Sequence, residues 1–93
     1  PLWFPGGPRR VHAVGVVSGG GAGSFPEAAA RGLDAFITCE PTEPAMADAV
    51  ERGAHFIAGG HWATETFGVH RLGELIAERF DVEHSFESIR NPA

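Results

Sequence analysis

The fold is decided by the stretch VHAVGVVSGGGAGSFPEAAA at residues 11–30, where an apolar run is followed by glycines and then by a helix-forming segment. Residues 11–17 are rich in β-branched side chains and have the length of a buried strand. The glycines interrupt this strand, and the spacing of Ser24 and Glu27 predicts a capping box at the start of a helix. The stretch therefore predicts a strand, a glycine loop and a short helix that ends at Gly32.

The same alternation of strand and helix continues along the chain. The predicted later strands are residues 33–38, 54–58 and 82–86; the predicted later helices run to about residue 52 and over about residues 63–80. Strands that alternate with helices are typical of α/β proteins with a parallel sheet. We therefore predict a three-layer-like α/β fold whose sheet is mostly parallel.

The two ends of the chain are interpreted differently from its middle. Residues 1–10 are rich in proline and glycine and carry no initiator methionine, which favours a linker or an interior segment. Residues 11–93 are predicted to form one α/β domain. Because a domain of 93 residues buries only a modest core by itself, we expect the chain to be a fragment or to rely on a partner.

Composition narrows the classes of partner. The formal net charge is −5, with twelve acidic and seven basic residues, which argues against the basic surface that nucleic acids require. No stretch has the apolar length of a membrane span, so we expect neither a nucleic-acid nor a membrane partner. The single cysteine, Cys39, excludes an internal disulfide and fits a cytoplasmic location.

The strongest chemical signal is Gly-Gly-His-Trp-Ala-Thr-Glu at residues 59–65, directly after a predicted strand. On a helix, His61 and Glu65 lie on one face, one turn apart, where an imidazole and a carboxylate can share a metal ion. Two donors are half of the four protein ligands of a structural zinc site, and even a catalytic zinc site usually has three, so further ligands are needed. The alternative is that both residues only decorate the start of a helix.

Two other loops are predicted to reach the same edge of the sheet, because the carboxyl ends of parallel strands lie together. One contains Gly19, Gly20 and Gly21, whose amides could cradle an anion such as a phosphate, or whose lack of side chains could simply permit tight packing. The other contains Glu40 and Glu43, which are candidates for supporting a metal ligand or acting as a general base. Acidic residues near a helix start also need no function.

Four motifs taken in order resemble one known family. They are SGGGAGSF at 18–25, DAFITCE at 34–40, AGGHWATE at 58–65 and Asn-Pro at 91–92. The sequence is similar to the C-terminal part of the Nif-three-like dinuclear-metal-centre proteins, also named GTP cyclohydrolase 1 type 2 homologues. The resemblance covers about residues 9–93. Two departures are a cysteine at position 39, where the family usually has glycine, and Ala47, where it often has histidine.

The resemblance implies a ligand set and an assembly. His61 and Glu65 correspond to two ligands of a two-metal centre, and a His-His pair and an aspartate from the N-terminal half of family members complete it. The resemblance further implies two divalent ions per full-length chain, with zinc, iron, manganese and magnesium not distinguished, and a ring-shaped homohexamer. The larger protein would then have a Nif-three-like fold.

The leading hypothesis is a hydrolase-like protein in which two metal ions activate water on a nucleotide-like substrate. The family name implies opening of the GTP ring, although no motif in this sequence identifies a purine. The alternative hypothesis is a non-catalytic, ring-forming scaffold or regulatory protein with a structural metal centre. A third is a phosphate-binding domain that uses only the glycine loop.

Overall fold

The structure, a computed structural model, describes residues 1–89 of the chain. Strands and helices alternate through most of it, as the sequence predicts. The strands are β1 (Leu2–Phe4), β2 (Val14–Val16), β3 (Ala35–Thr38) and β4 (His55–Ala58), and the helices are α1 (Phe25–Ala30), α2 (Ala45–Arg52) and α3 (His61–Phe80). A short 3-10 turn at Gly21–Ser24 leads into α1.

The four strands form one sheet in the order β1-β4-β3-β2. Strands β2, β3 and β4 are parallel, and β1 joins β4 in the antiparallel direction. Register places Gly15 beside Phe36 and Phe36 beside Phe56. The prediction of a mostly parallel α/β sheet is therefore confirmed.

The core lies between one face of this sheet and helices α1 and α2. Phe25, Phe36 and Phe56 are each at most 1% exposed, and their ring centroids lie 5.2–5.8 Å apart. The helices contribute mainly small side chains, including Ala45 and Ala49, so that their backbones approach the sheet closely. Packing of three aromatic rings under small residues explains how a short chain makes a dense core.

Residues 1–10, which were predicted to be a linker or an interior segment, contain the strand β1. The turn after β1 is tied to His55, whose Nδ1 accepts hydrogen bonds from the amides of Gly6 at 3.3 Å and Gly7 at 3.2 Å. Its Nε2 lies 3.0 Å from the carbonyl oxygen of Pro8. This strand was not predicted because proline and glycine usually mark a break in secondary structure.

The predicted capping box at Ser24 is wrong. Ser24 has right-handed helical dihedrals, φ −85° and ψ −7°, and its side chain makes no capping hydrogen bond. A capping serine needs an extended backbone, and here the preceding 3-10 turn holds the residue in a helical one. Helix α1 therefore continues directly from that turn.

The predicted strand at residues 82–86 is also wrong. This segment has no strand structure and folds back along α3 after Asp81, which adopts a left-handed conformation with φ 52°. The Phe86 ring lies on that of His70, with centroids 3.8 Å apart and planes 32° apart. The alternating pattern that suggested a strand thus reflects contacts with a helix.

Helix α3 stands apart from the two packed layers. None of its residues is buried, and large apolar side chains such as Phe67, Leu72 and Phe80 are more than half exposed. Helix α3 therefore contributes no buried side chain to the core between the sheet and helices α1 and α2. None of the helices in this part of the chain combines the length and the apolar character needed to cross a membrane.

Candidate functional site

Three loops meet at the carboxyl edge of the parallel strands, as predicted. The amide of Gly60 donates to the carbonyl of Cys39 at 2.8 Å, and the amide of Gly59 donates to the carbonyl of Thr38, also at 2.8 Å. The amide of Cys39 in turn donates to the carbonyl of Gly19 at 3.3 Å. Main-chain hydrogen bonds thus fix the loops after β2, β3 and β4 against one another.

Side-chain hydrogen bonds continue this connection to the start of α3. The amide of Gly19 donates to the Cys39 Sγ atom at 3.1 Å, and Sγ lies 2.8 Å from the Thr64 hydroxyl. That hydroxyl donates to the carbonyl of Gly60 at 2.8 Å. Because Thr64 uses its proton on Gly60, the thiol is the donor to Thr64. The chain of bonds positions the first turn of α3.

Cys39 and Thr64 therefore have a structural role that was not predicted from the sequence. The sequence predicted no contact for either Cys39 or Thr64. Cys39 is 2% exposed, and its thiol joins the glycine loop to α3. The available signal was a threonine in the first turn of the helix, four residues after Gly60, a spacing that permits a hydroxyl to reach the preceding carbonyl.

Two residues of the glycine loop, Gly19 and Gly21, are held by the surrounding protein. Gly19 donates its amide to Cys39 Sγ, and Gly21 donates its amide to the Thr38 hydroxyl at 3.0 Å. A Cβ atom at Gly21 would overlap the side chain of Val17. Gly19 has φ 69°, a conformation that favours glycine. Of the two interpretations of this loop, the geometry favours tight packing, because two of its amides already have protein acceptors.

His61 and Glu65 lie together on the first turns of α3 and form what we call the histidine–carboxylate pair. The helix begins at His61, two residues before the predicted start, so the four-residue spacing places both side chains on one face. The His61 Nε2 atom is 3.0 Å from Glu65 Oε2, and the two side chains are 45% and 48% exposed. The predicted juxtaposition is therefore present and open to solvent.

Glu40 completes the surroundings of the imidazole. Its Oε1 atom lies 3.2 Å from His61 Nδ1, on the other side of the ring from Glu65. The hydrogen bond to Glu40 and the negative charge of Glu65 raise the pKa of His61 above its usual value. A ring with a carboxylate at each nitrogen is best satisfied when both nitrogens carry protons, which is the physical cause of this shift.

The other candidate residues do not contact His61. Glu43 is exposed and, within residues 1–89, makes no hydrogen bond or ion pair. Among the remaining histidines, His55 holds the turn after β1. The ring of His84, in the final segment (residues 82–89), lies 6.3 Å from that of His70 on α3. Of the two glutamates proposed to support the site, the structure brings only Glu40 to His61.

The histidine–carboxylate pair has the chemistry of a partial metal site. An imidazole nitrogen and a carboxylate oxygen 3.0 Å apart are spaced as neighbouring ligands of one ion, given bonds of about 2.0–2.2 Å. A carboxylate on the second ring nitrogen is the usual partner of a metal-binding histidine. Within residues 1–89, no group of three or more histidine, cysteine or acidic side chains is arranged to hold an ion. The residues fit a metal as contributors to a larger ligand set.

The fold and this edge define a class: an α/β domain with a solvent-open polar site beyond the carboxyl ends of its parallel strands, where such proteins bind ligands. The chain belongs to the Duf34/NIF3 (NGG1p interacting factor 3) family, whose model matches residues 3–92. This membership confirms the resemblance inferred from the four sequence motifs.

Similar proteins extend well beyond this chain. A GTP cyclohydrolase 1 type 2 homolog from Pasteurella multocida (strain Pm70) is 43% identical over 86 residues, which are 92% of this chain and 34% of that protein. The solved structure of protein ybgI, whose function is given as unknown, covers 100% of this chain and 38% of its own, with 44% identity and a TM-score of 0.93. TTHA1606 from Thermus thermophilus gives 35% identity and a TM-score of 0.90, covering 100% of this chain and 37% of that one. The chain thus spans about a third of the length of the relatives it matches.

Proposed function

We propose that this chain is the C-terminal metal-binding part of a dinuclear-metal, hydrolase-like protein that acts on a nucleotide-like small molecule. In this proposal His61 and Glu65 are two ligands of the centre, and the remaining ligands come from other parts of a longer protein. Two divalent ions per full-length chain would supply Lewis acidity and lower the pKa of bound water. The name of the Pasteurella relative, GTP cyclohydrolase 1 type 2 homolog, agrees with a nucleotide substrate.

One observation carries the proposal: the contact of His61 with Glu65 on one side and Glu40 on the other. His61 Nε2 and the Glu65 carboxylate would be the two groups that hold a metal ion. The proton on Nδ1 then donates to Glu40, which fixes the ring in the tautomer that leaves Nε2 free to bind. This arrangement gives each of the three side chains a separate task.

The rest of the edge keeps these groups in place. The hydrogen bonds from Gly19 through Cys39 and Thr64 hold the start of α3, and with it His61, against the loop that carries Glu40. Because the pair is about half exposed, water and a small substrate can reach it. In this proposal the side chains of the chain would bind the metal ions and orient the substrate. The metal ions would act as the Lewis acid.

The alternative function is a non-catalytic, ring-forming scaffold or regulatory protein with a structural metal centre. This alternative uses the same metal ligands as the proposed hydrolase and differs from it in having no catalytic turnover. The broad exposed apolar surface of α3, including Phe67 and Leu72, is the observation that favours assembly. A homohexamer and a cytoplasmic location stay predictions under either function.

Metal content tests the proposal. The intact full-length protein and its Glu65→Gln variant are purified identically and analysed for metals. Glu78→Gln is the matched control, because Glu78 is an exposed glutamate of the same helix. We expect about two ions per chain in the wild type and the control, and a sharp loss in Glu65→Gln.

Each outcome has one meaning. Full metal content in Glu65→Gln, or none in the wild type after incubation with each candidate ion, would contradict the ligand assignment. If the wild type holds its metal, hydrolysis of nucleotides by the loaded protein is measured next. Turnover that disappears with Glu65→Gln supports the hydrolase, and its absence at full loading supports the scaffold.

A further inference from the structure

A groove of about 330 Å³ lies between α3 and the segment that follows it, residues 82–89. Its α3 wall includes Trp62 and Val69, and its opposite wall includes Phe86 and Ile89. The histidine–carboxylate pair lines the same groove. The candidate metal ligands therefore open into a space with apolar and aromatic sides.

Contacts outside the groove hold its second wall against α3. The Phe86 ring is stacked on His70 at a centroid distance of 3.8 Å, and His70 meets His84 nearly edge-on, with centroids 6.3 Å apart. The His84 ring occupies the space beside Gly73 that a Cβ atom would otherwise fill. The second wall is thus formed by specific packing between rings.

The size of the groove and the charge of its lining indicate which kind of ligand it can bind. The volume is at the lower end of the range of about 300–1,000 Å³ typical of small-molecule sites, so the groove suits one ring system. Trp62 and Phe86 offer flat apolar surfaces for stacking. Glu87 also lines the space, and its carboxylate accepts hydrogen bonds but repels phosphate groups. An uncharged ring with N–H groups on its edge meets all of these conditions.

We propose that this groove binds a flat, uncharged nitrogen heterocycle, which stacks on Trp62 and presents its N–H edge to the Glu87 carboxylate, next to the candidate metal ligands. The inference rests on the proposed function, since it names the part of the substrate that the site recognises. It also assigns recognition to the ring, with any phosphate directed out of the groove. Trp62 and Phe86 are then binding residues that act from opposite walls.

Calorimetric titration of the full-length, metal-loaded protein with guanosine tests the inference, because guanosine has a flat ring with N–H donors and no phosphate. The variants are Trp62→Ala and Phe86→Ala, one for each wall. Phe67→Ala is the control, since Phe67 is an aromatic residue of the same helix, 74% exposed and outside the groove. A second probe, 1-methylguanosine, lacks one N–H of the ring edge, and inorganic triphosphate serves as a competitor.

We expect guanosine to bind the wild type and the Phe67→Ala control equally, and to bind each groove variant at least about tenfold more weakly, as loss of one stacked aromatic contact produces. Methylation of the ring edge should weaken binding, and triphosphate should not displace guanosine. The metal content of all variants should equal that of the wild type, which separates loss of the ring contact from loss of the metal site.

The inference is overturned if metal-loaded wild type does not bind guanosine, or if Trp62→Ala binds it as tightly as the wild type. Competition by triphosphate would likewise overturn it, because the phosphate would then occupy the site. If the wild type holds no metal, the proposed function fails by its own test. The groove is still tested in that case, by the same variants titrated in the metal-free protein.

Discussion

Glu40 lies 3.2 Å from the Nδ1 atom of His61, although the two residues belong to different loops at the edge of the sheet. This contact places the imidazole between two carboxylates, since Glu65 faces Nε2. The two carboxylates stabilise the protonated ring, and in the proposed metal-binding role Glu40 would orient it.

We predict that Glu40→Gln lowers the pKa of His61 in the metal-free protein. The hydrogen bond to Glu40 is the largest cause of the raised pKa, and the charge of Glu65 is the next. Glu65→Gln should therefore lower the pKa less than Glu40→Gln does. The measurement is an NMR titration of the His61 ring, with Glu43→Gln as the control, because Glu43 makes no ion pair within residues 1–89.

The sign of the linked stability follows from the raised pKa. Protonated His61 stabilises the fold fully below the unfolded-state pKa of about 6.5, and this contribution is lost as the pH rises through the higher folded-state pKa. In Glu40→Gln that pH dependence should become weaker. An unchanged His61 pKa in this variant would show that the Glu40 contact does not persist in solution.

Thr64→Val should destabilise the protein by about 1 kcal/mol, because it removes the hydroxyl that bonds to the carbonyl of Gly60 and accepts the buried thiol of Cys39. Chemical denaturation measures the effect. Thr66→Val is the matched control, since its hydroxyl reaches the carbonyl of Ala63 only at 3.5 Å. Equal effects of the two substitutions would mean that the hydrogen bonds of Thr64 contribute nothing specific.

Asp34→Asn should destabilise the protein near neutral pH. The Oδ2 atom of Asp34 accepts hydrogen bonds from the amides of His12 at 2.8 Å and Ala13 at 3.0 Å, and these bonds lower the pKa of the carboxyl group. Asparagine keeps an acceptor oxygen and removes the charge. The residue thus holds the chain in place where it enters β2.

The pH dependence of this effect has a defined direction. Because the folded-state pKa is lowered, the stabilisation by Asp34 is present above the unfolded-state pKa of about 3.9 and disappears as the pH falls through the folded-state value. The difference in unfolding free energy between wild type and Asp34→Asn should therefore shrink below about pH 4. A difference that stays constant down to about pH 2 would contradict a role for the charge.

The sequence predicted the parts of the fold in which local pattern and tertiary structure agree. The apolar runs became β2, β3 and β4, and the spacing of His61 and Glu65 placed them on one helix face. It did not predict β1, because proline and glycine next to Trp3 and Phe4 usually signal a break. That strand exists because β4 offers a free edge for pairing, a fact of tertiary structure.

The candidate site was likewise predictable only where a local sequence pattern determines it. The helical period predicted the histidine–carboxylate pair. The contact of Glu40 with His61 depends on how two loops meet, which no local pattern encodes. The same holds for the thiol of Cys39 and its bond to Thr64, which are 25 residues apart in sequence. The segment at 82–86 was mistaken for a strand because its alternating residues pack against a helix instead of a sheet.

The two glycines inside α3 should respond differently to substitution. A Cβ atom at Gly68 would meet nothing within 4 Å, so Gly68→Ala should stabilise the protein by up to about 1 kcal/mol through its higher helix propensity. A Cβ atom at Gly73 would meet the His84 ring, which must then swing away from α3. We therefore expect Gly73→Ala to stabilise the protein less than Gly68→Ala does, because lost packing offsets the gain in propensity. Chemical denaturation measures both effects, and NMR should show a shift of the His84 ring only in Gly73→Ala. Equal stabilisation by the two substitutions, with His84 unmoved, would show that the final segment does not pack on α3 in solution.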